Sequence, residues 1–351
     1  MHMADALLSP AVGGVMWAAA AGALALASRR LRDRTDEAWV PLMGMLGAFV
    51  FTAQMINFSI PGTGSSGHLG GALLLAILLG PQAALVVIAS VLAVQALFFA
   101  DGGLLAFGAN LFNLGLLTCW VAYPLVYRPL AGDSPSPLRR SVAAVAAATV
   151  GLQLAALGVV LQTLASGISA LPLKTFLLLM LPVHGAIGLV EGLATAALLG
   201  FLQRARPELL AGARPPTAPR ARRSALATLA GAALVTGGVL SWFASAQPDG
   251  LEWSVEQAAG TTELPVPTAS LHARLAQWQQ ALAWLPGYDL PAAAPAAAPG
   301  APHPPAVGPA APAPWPEVKL ATSLAGVVGG AATLLLVMVL GAALRRRRAA
   351  A

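Results

Sequence analysis

Stretches of apolar residues at about 10–28, 40–58, 69–80, 82–100, 103–127, 141–167, 174–203, 225–245 and 321–344 leave this chain few ways to fold in water. With 57% hydrophobic and only 10% charged residues, its polar side chains are too few to cover a soluble globule of 351 residues. In a bilayer such runs become helices, because the helix satisfies its own backbone donors and acceptors where no water is available. The expected fold is an all-α integral membrane protein, a polytopic helix bundle of about seven helices followed by two more in a C-terminal module. Nine crossings are expected. The third run is short and is parted from the fourth by Gly80-Pro81-Gln82, so it reads as tilted, thinned or partly re-entrant.

The formal charge of +6 does not point to nucleic acid, because the basic residues cluster between the apolar runs. Arg29, Arg30, Arg32 and Arg34 follow the first run, Arg128, Arg139 and Arg140 the fifth, the arginines from Arg204 to Arg223 the seventh, and Arg345 to Arg348 the ninth. In a nine-crossing arrangement these loops share one side and leave only Lys174, Arg274 and Lys319 opposite. By the positive-inside rule the N-terminus is extracytoplasmic and the C-terminus cytoplasmic, in the inner membrane. The single cysteine, Cys119, lies within an apolar run and reads as a small core hydrophobe.

That orientation puts two histidines on the outer face. His2 follows the initiator methionine, and His68 sits in the glycine-rich loop IPGTGSSGHLGG after the second run. The α-amine of Met1, the amide nitrogen of His2 and the δ nitrogen of His2 can chelate one ion in fused five- and six-membered rings. His68 is the obvious fourth nitrogen. A square of four nitrogens suits Ni(II) or Cu(II) and is poor for Mg(II) or Ca(II). A cleaved signal peptide is the rival reading of the first 28 residues, but it would need a basic start, and Asp5 stands there instead.

The segments MHMADALLSP, PGTGSSGHLGG and GPQAALVVIASVLAVQALFFADGGLLAFGANLFNLG, in this order, resemble the substrate-specificity subunit of cobalt and nickel energy-coupling factor transporters, the CbiM/NikM family. The resemblance covers roughly 1–203. It implies metal ligation by Met1, His2 and His68, transport of Ni(II) or Co(II) with no organic cofactor, and two kinds of partner: one or two ATPase subunits and a transmembrane coupling subunit. The chain itself has no GxxxxGK[ST] phosphate loop to supply energy. After a basic cytoplasmic linker, 204–223, residues 224–344 carry Pro248-Asp249-Gly250-Leu251-Glu252, the signature of the PDGLE module often fused to this family, which resembles an accessory subunit that assists loading.

Polar residues inside the first part are costly in a membrane unless partnered. Asn110 and Asn113 share a helix face and read either as supports of the metal loop or as interhelical glue. His184 and Glu191, two turns apart, mark a cation path or support helix packing. Asp101 attracts cations or caps its turn. In the module, His272 is expected on the surface of an amphipathic helix and His303 in a solvated Pro/Ala-rich linker, so the module should act on the glycine-rich loop without supplying ligands. A metal-dependent intramembrane enzyme is the competing class, but there is no HExxH motif and a closed four-nitrogen square has no open in-plane position for substrate. Nickel is favoured over cobalt by the square geometry and the GHLGG continuation, and the alternative is cobalt uptake for cobalamin biosynthesis.

Overall fold

A computed structural model of the chain describes residues 1–32, 39–133, 136–169, 171–210, 219–261, 264, 270–290 and 315–349. A 3-10 turn at Asp5–Leu7 leads into α1, Pro10–Arg32, and α2 follows at Trp39–Gln54. The glycine-rich loop then forms a small antiparallel hairpin, β1 at Phe58–Ile60 and β2 at Ser65–Gly67, with Ser59 opposite Ser66. Helices α3, Ala72–Leu79, and α4, Pro81–Phe98, are joined at Gly80, whose φ of 80° suits a residue without a side chain, and Pro81 opens the next helix. The rest of the first part is α5, Phe107–Ala131, α6, Pro137–Ser166, and α7, Leu173–Ala205. The C-terminal part contributes α8, Pro219–Gly238, α9, Gly250–Ala259, α10, Leu271–Leu282, and α11, Leu320–Ala349.

The chain is a multi-pass helical membrane protein. Among the described residues six helices are long and apolar enough to cross a bilayer: α1, α4, α5, α6, α7 and α11. Of the other three expected crossings, α2 is apolar but has 16 residues, and α8 has 20 but begins with Arg220, Arg222 and Arg223. The third departs furthest from expectation. With 8 residues, α3 rises only about 12 Å, well short of a hydrocarbon core of about 30 Å. The helix is preceded by irregular backbone that is buried against protein, the condition under which such backbone is tolerated inside a bilayer. The carboxylate of Glu191, within α7, accepts the amide hydrogens of Gly70 and Gly71 at 3.0 Å each. It thereby satisfies donors that lipid would leave bare.

Small residues set the helix packing. A Cβ on Gly192 of α7 would fall 2.5 Å from the Val145 Cα of α6, so those two backbones touch. In the C-terminal part, a Cβ on Gly326 of α11 would fall 2.6 Å from the carbonyl oxygen of Gly237 in α8, and one on Gly329 would run into the Phe51 ring of α2. Helix α2 is thus clasped by both long helices of the C-terminal part. The main core runs through α1 to α7 and includes the buried Cys119, whose thiol donates to the Ala72 carbonyl at 3.8 Å.

Candidate metal centre

The first nine residues fold into a slot between α5, the turn after α4 and the glycine-rich loop. Asn110 fixes their backbone from both sides: its Oδ1 accepts from the Met3 N–H at 2.7 Å and its Nδ2 donates to the Met3 carbonyl at 3.1 Å. The Gly103 N–H donates to the same carbonyl at 2.9 Å, and Asp5 Oδ1 accepts from the Ala106 N–H at 2.9 Å. Asn113, one helical turn along from Asn110, meets the Met3 sulfur at 3.6 Å and exchanges two hydrogen bonds with Gln162 of α6, at 2.8 and 2.9 Å. The two asparagines therefore do different things. Asn110 pins the terminus, whereas Asn113 joins helices and contacts the Met3 side chain.

So held, the terminal nitrogen of Met1 lies 3.0 Å from His68 Nε2. The imidazole rings of His2 and His68 stack nearly parallel, 7° between planes and 5.3 Å between centroids. His68 Nδ1 faces the Leu69 carbonyl at 3.1 Å, and since a carbonyl can only accept, the proton sits on Nδ1 and the Nε2 lone pair points at Met1. Loss of water around the ring, then the positive terminal amine and His2, hold the His68 pKa down to about 3. The ring is therefore neutral, the form that binds metals. His2 Nδ1 lies 3.1 Å from Asp101 Oδ1, while its Nε2 is buried without a hydrogen-bond partner among the described residues.

Two carboxylates complete the setting. Asp101 is pulled below the ordinary carboxylate range: burial acts to raise it, but the His2 charge and hydrogen bond, with a further bond from Tyr288, outweigh burial. The Tyr288 hydroxyl donates to Asp101 Oδ2 at 2.5 Å, and its ring stacks on Phe99 with centroids 4.7 Å apart. Asp249 accepts from the Met1 ammonium at 2.7 Å. Burial opposes its ionisation too, and the terminal amine overcomes it, leaving the carboxyl well below its usual value. Among the described residues no three His, Cys, Asp or Glu side chains are grouped so as to hold an ion by themselves.

Each position of the PDGLE sequence has a physical task. The Pro248 carbonyl accepts from the Ser66 N–H at 2.8 Å, extending the β-hairpin by one bridge. Asp249 Oδ1 caps α9 by accepting from the Leu251 and Glu252 amides at 2.7 and 3.0 Å, and Glu252 returns a bond to the Asp249 N–H at 3.1 Å. Gly250 permits close seating on α7, since a Cβ there would fall 2.8 Å from Val183 Cγ1 and 3.1 Å from His184 Cε1. Leu251 is buried behind them.

The sequence-expected residues thus gather in one region: Met1, His2, His68 and Asp101 in direct contact, Asn110 and Asn113 beneath the terminus, Glu191 under the glycine-rich loop. His184 lines a small cavity with Met1, His68 and Asp249. His184 and Glu191 do not bond each other; the His184 Nδ1 donates instead to the Met180 carbonyl at 2.8 Å.

One expectation is corrected. His272 is not a surface residue: it is 7% exposed, and its Nε2 donates to the Leu8 carbonyl at 2.7 Å. The amphipathic face of α10 that looked solvent-bound is laid against the N-terminal segment. His303 lies outside the described residues. The contacts of Asp249, Tyr288 and Gln279 with the first part were not anticipated; Gln279 Nε2 donates to the Ala96 and Gly102 carbonyls at 2.9 and 2.6 Å. The PDGLE sequence flagged the first of these residues without revealing its contact with Met1, and nothing in local sequence marks the other two.

Residues 2–209 match the family described as the cobalt uptake substrate-specific transmembrane region, CbiM, and residues 223–346 match the PDGLE domain. The fused nickel transport protein NikMN of Rhodobacter capsulatus is 36% identical over 234 residues, 62% of this chain and 66% of that protein. The cobalt transport protein CbiM of Geobacter sulfurreducens is 33% identical over 223 residues, 60% of this chain and 62% of that protein. A crystal structure of a transition metal transporter superposes with a TM-score of 0.51 at 32% identity, covering 58% of this chain and 93% of its own. These are metal transport proteins, not enzymes, and the chain belongs to the CbiM family, with a PDGLE domain joined to its C-terminal side.

Proposed function

We propose that this protein captures Ni(II), with Co(II) as the alternative ion, from the extracytoplasmic side and passes it to the cytoplasm. The ligands in this reading are the Met1 amine, the His2 amide nitrogen and Nδ1, and His68 Nε2. The observation that carries it is the 3.0 Å approach of the terminal nitrogen to His68 Nε2 beneath a stacked His2 ring. Here an ammonium proton occupies the place where an ion would be shared. His2 Nδ1 now faces Asp101, so capture exchanges that carboxylate for the metal and turns the ring. Nickel is favoured because four nitrogens in a plane suit its geometry and because the Rhodobacter relative named as a nickel transport protein is also described as fused.

The direction of transport in this reading is supported by the arginine distribution, which by the positive-inside rule puts the N-terminal face on the extracytoplasmic side. A chain without a phosphate-binding loop has to borrow its energy, and the reading therefore includes an ATPase and a transmembrane coupling subunit that rearrange the loaded protein for release. The test pairs two measurements. Purified protein should bind one Ni(II) with an all-nitrogen shell in X-ray absorption and hydrolyse no ATP, and cells should accumulate nickel only when the ATPase and coupling subunits are co-expressed. Metal flux through vesicles containing this chain alone would replace the reading with a channel or secondary carrier.

A further inference from the structure

We infer that His184 and Asp249 form a second, weaker metal station directly beside the terminal chelate, which takes up the ion as Met1, His2 and His68 release it. This rests on the capture reading above and adds a donor set to it. His184 is 1% exposed on α7. Its Nδ1 faces the Met180 carbonyl at 2.8 Å, which fixes the proton on that nitrogen and leaves the Nε2 lone pair on the ring edge remote from its own helix. Among the described residues that Nε2 has no hydrogen-bond partner. A buried polar atom without a partner costs stability, so one retained beside a metal-binding cluster calls for an occupant.

The place for that occupant is a cavity of about 20 Å³ lined by Met1, His68, His184 and Asp249, with glycine and aliphatic residues completing the wall. A space of that size accepts about one water-sized sphere, and hence one ion and nothing larger. Asp249 is placed to respond to loading. Its Oδ2 now faces the Met1 ammonium at 2.7 Å. Once the amine gives up its proton and binds metal, the carboxylate has lost its cation and faces the ion instead. One imidazole and one carboxylate suit a borderline divalent metal. With only two side chains the grip is weak, as a transfer position requires, because an ion held tightly at each step would not move on.

The full chain, purified in detergent, tests this with Co(II) as a spectroscopic probe in a background where the terminal chelate is broken by His2→Ala. In that variant Co(II) should still bind, at least about tenfold more weakly, the scale of loss expected for disrupting a metal site. The shell should contain both nitrogen and oxygen in X-ray absorption. Adding His184→Ala, or His184→Gln, which keeps a donor for the Met180 carbonyl, should abolish the residual visible bands, with the thermal unfolding midpoint reporting that each double variant is folded. Residual binding that survives both His184 substitutions overturns the inference, as does an absence of residual binding in His2→Ala alone. A wild-type chain that binds neither nickel nor cobalt would be a separate result, removing the capture reading and this inference with it.

Discussion

The carboxylate of Asp249 lies 2.7 Å from the terminal nitrogen of Met1, although 248 positions separate the two residues in the chain. The C-terminal part therefore does more than sit near the proposed metal site: it holds one of the proposed ligands. That relationship, with the His2–Asp101–Tyr288 series beside it, sets what substitutions should do.

Adding one alanine before Met1 should abolish high-affinity nickel binding while leaving membrane insertion unchanged. The extra residue alters no native side chain, but moves the amine away from His68 and from Asp249. Isothermal titration of the extended chain, with mass spectrometry to verify its terminus, is the measurement. An affinity equal to that of the native chain would rule out the amine as a ligand.

Asp249→Asn separates the ion pair from the helix cap, because asparagine caps helices about as well as aspartate. The Met1 amine of the metal-free protein should then react faster with an amine-selective label, and α9 should remain helical. The pH dependence of stability follows from the depressed carboxyl. A folded-state pKa below the unfolded value gives stabilisation that is complete above the unfolded pKa of about 4 and is lost as pH falls further. Wild type and Asp249→Asn should therefore differ by a constant amount in thermal midpoint between neutrality and mildly acidic pH, and converge only in strong acid.

Gly250→Ala should lower metal affinity without replacing a ligand. The added methyl would lie 2.8 Å from Val183 and 3.0 Å from Ile187, so α9 must lift off α7 and carry Asp249 with it. A crystal structure or amine labelling of the variant would register that shift, and unchanged labelling together with unchanged affinity would refute the coupling.

His272→Ala should destabilise the protein by about 1 to 3 kcal/mol, the usual cost of leaving a buried polar group unpaired. Hydrogen exchange should show the loss concentrated in residues 1–9, whose Leu8 carbonyl the imidazole holds. A silent substitution would mean that α10 does not brace the N-terminal segment.

How far these contacts could be read in advance depended on how local they are. Met1 and His2 are adjacent, and His68 joins them once topology assigns both segments to one face, so the ligand candidates could be named from the chain alone. The shortness of the third apolar run was equally visible. The spacing of His184 and Glu191 put both on one helix face, yet not their partners, because Gly70 and the cavity beside Met1 are supplied by other segments. His272 failed for an instructive reason: amphipathic periodicity tells which face of a helix is polar, and water was assumed to meet that face where the Leu8 carbonyl does. Tyr288, held with φ of 64° so that its hydroxyl reaches Asp101, belongs to a turn whose conformation only its surroundings impose.

The glycine contacts of α8 and α11 with each other and of α11 with α2 bear on how the two halves stay together. Two helices whose backbones meet around a third carry their own affinity inside the bilayer, where small residues let van der Waals surfaces come close. The covalent join between the parts then contributes effective concentration, raising the rate at which they find each other and not the geometry they reach. A split gene encoding residues 1–210 and 219–351 as separate polypeptides would assemble the same clasp around α2, and the fusion acts as a device for stoichiometry.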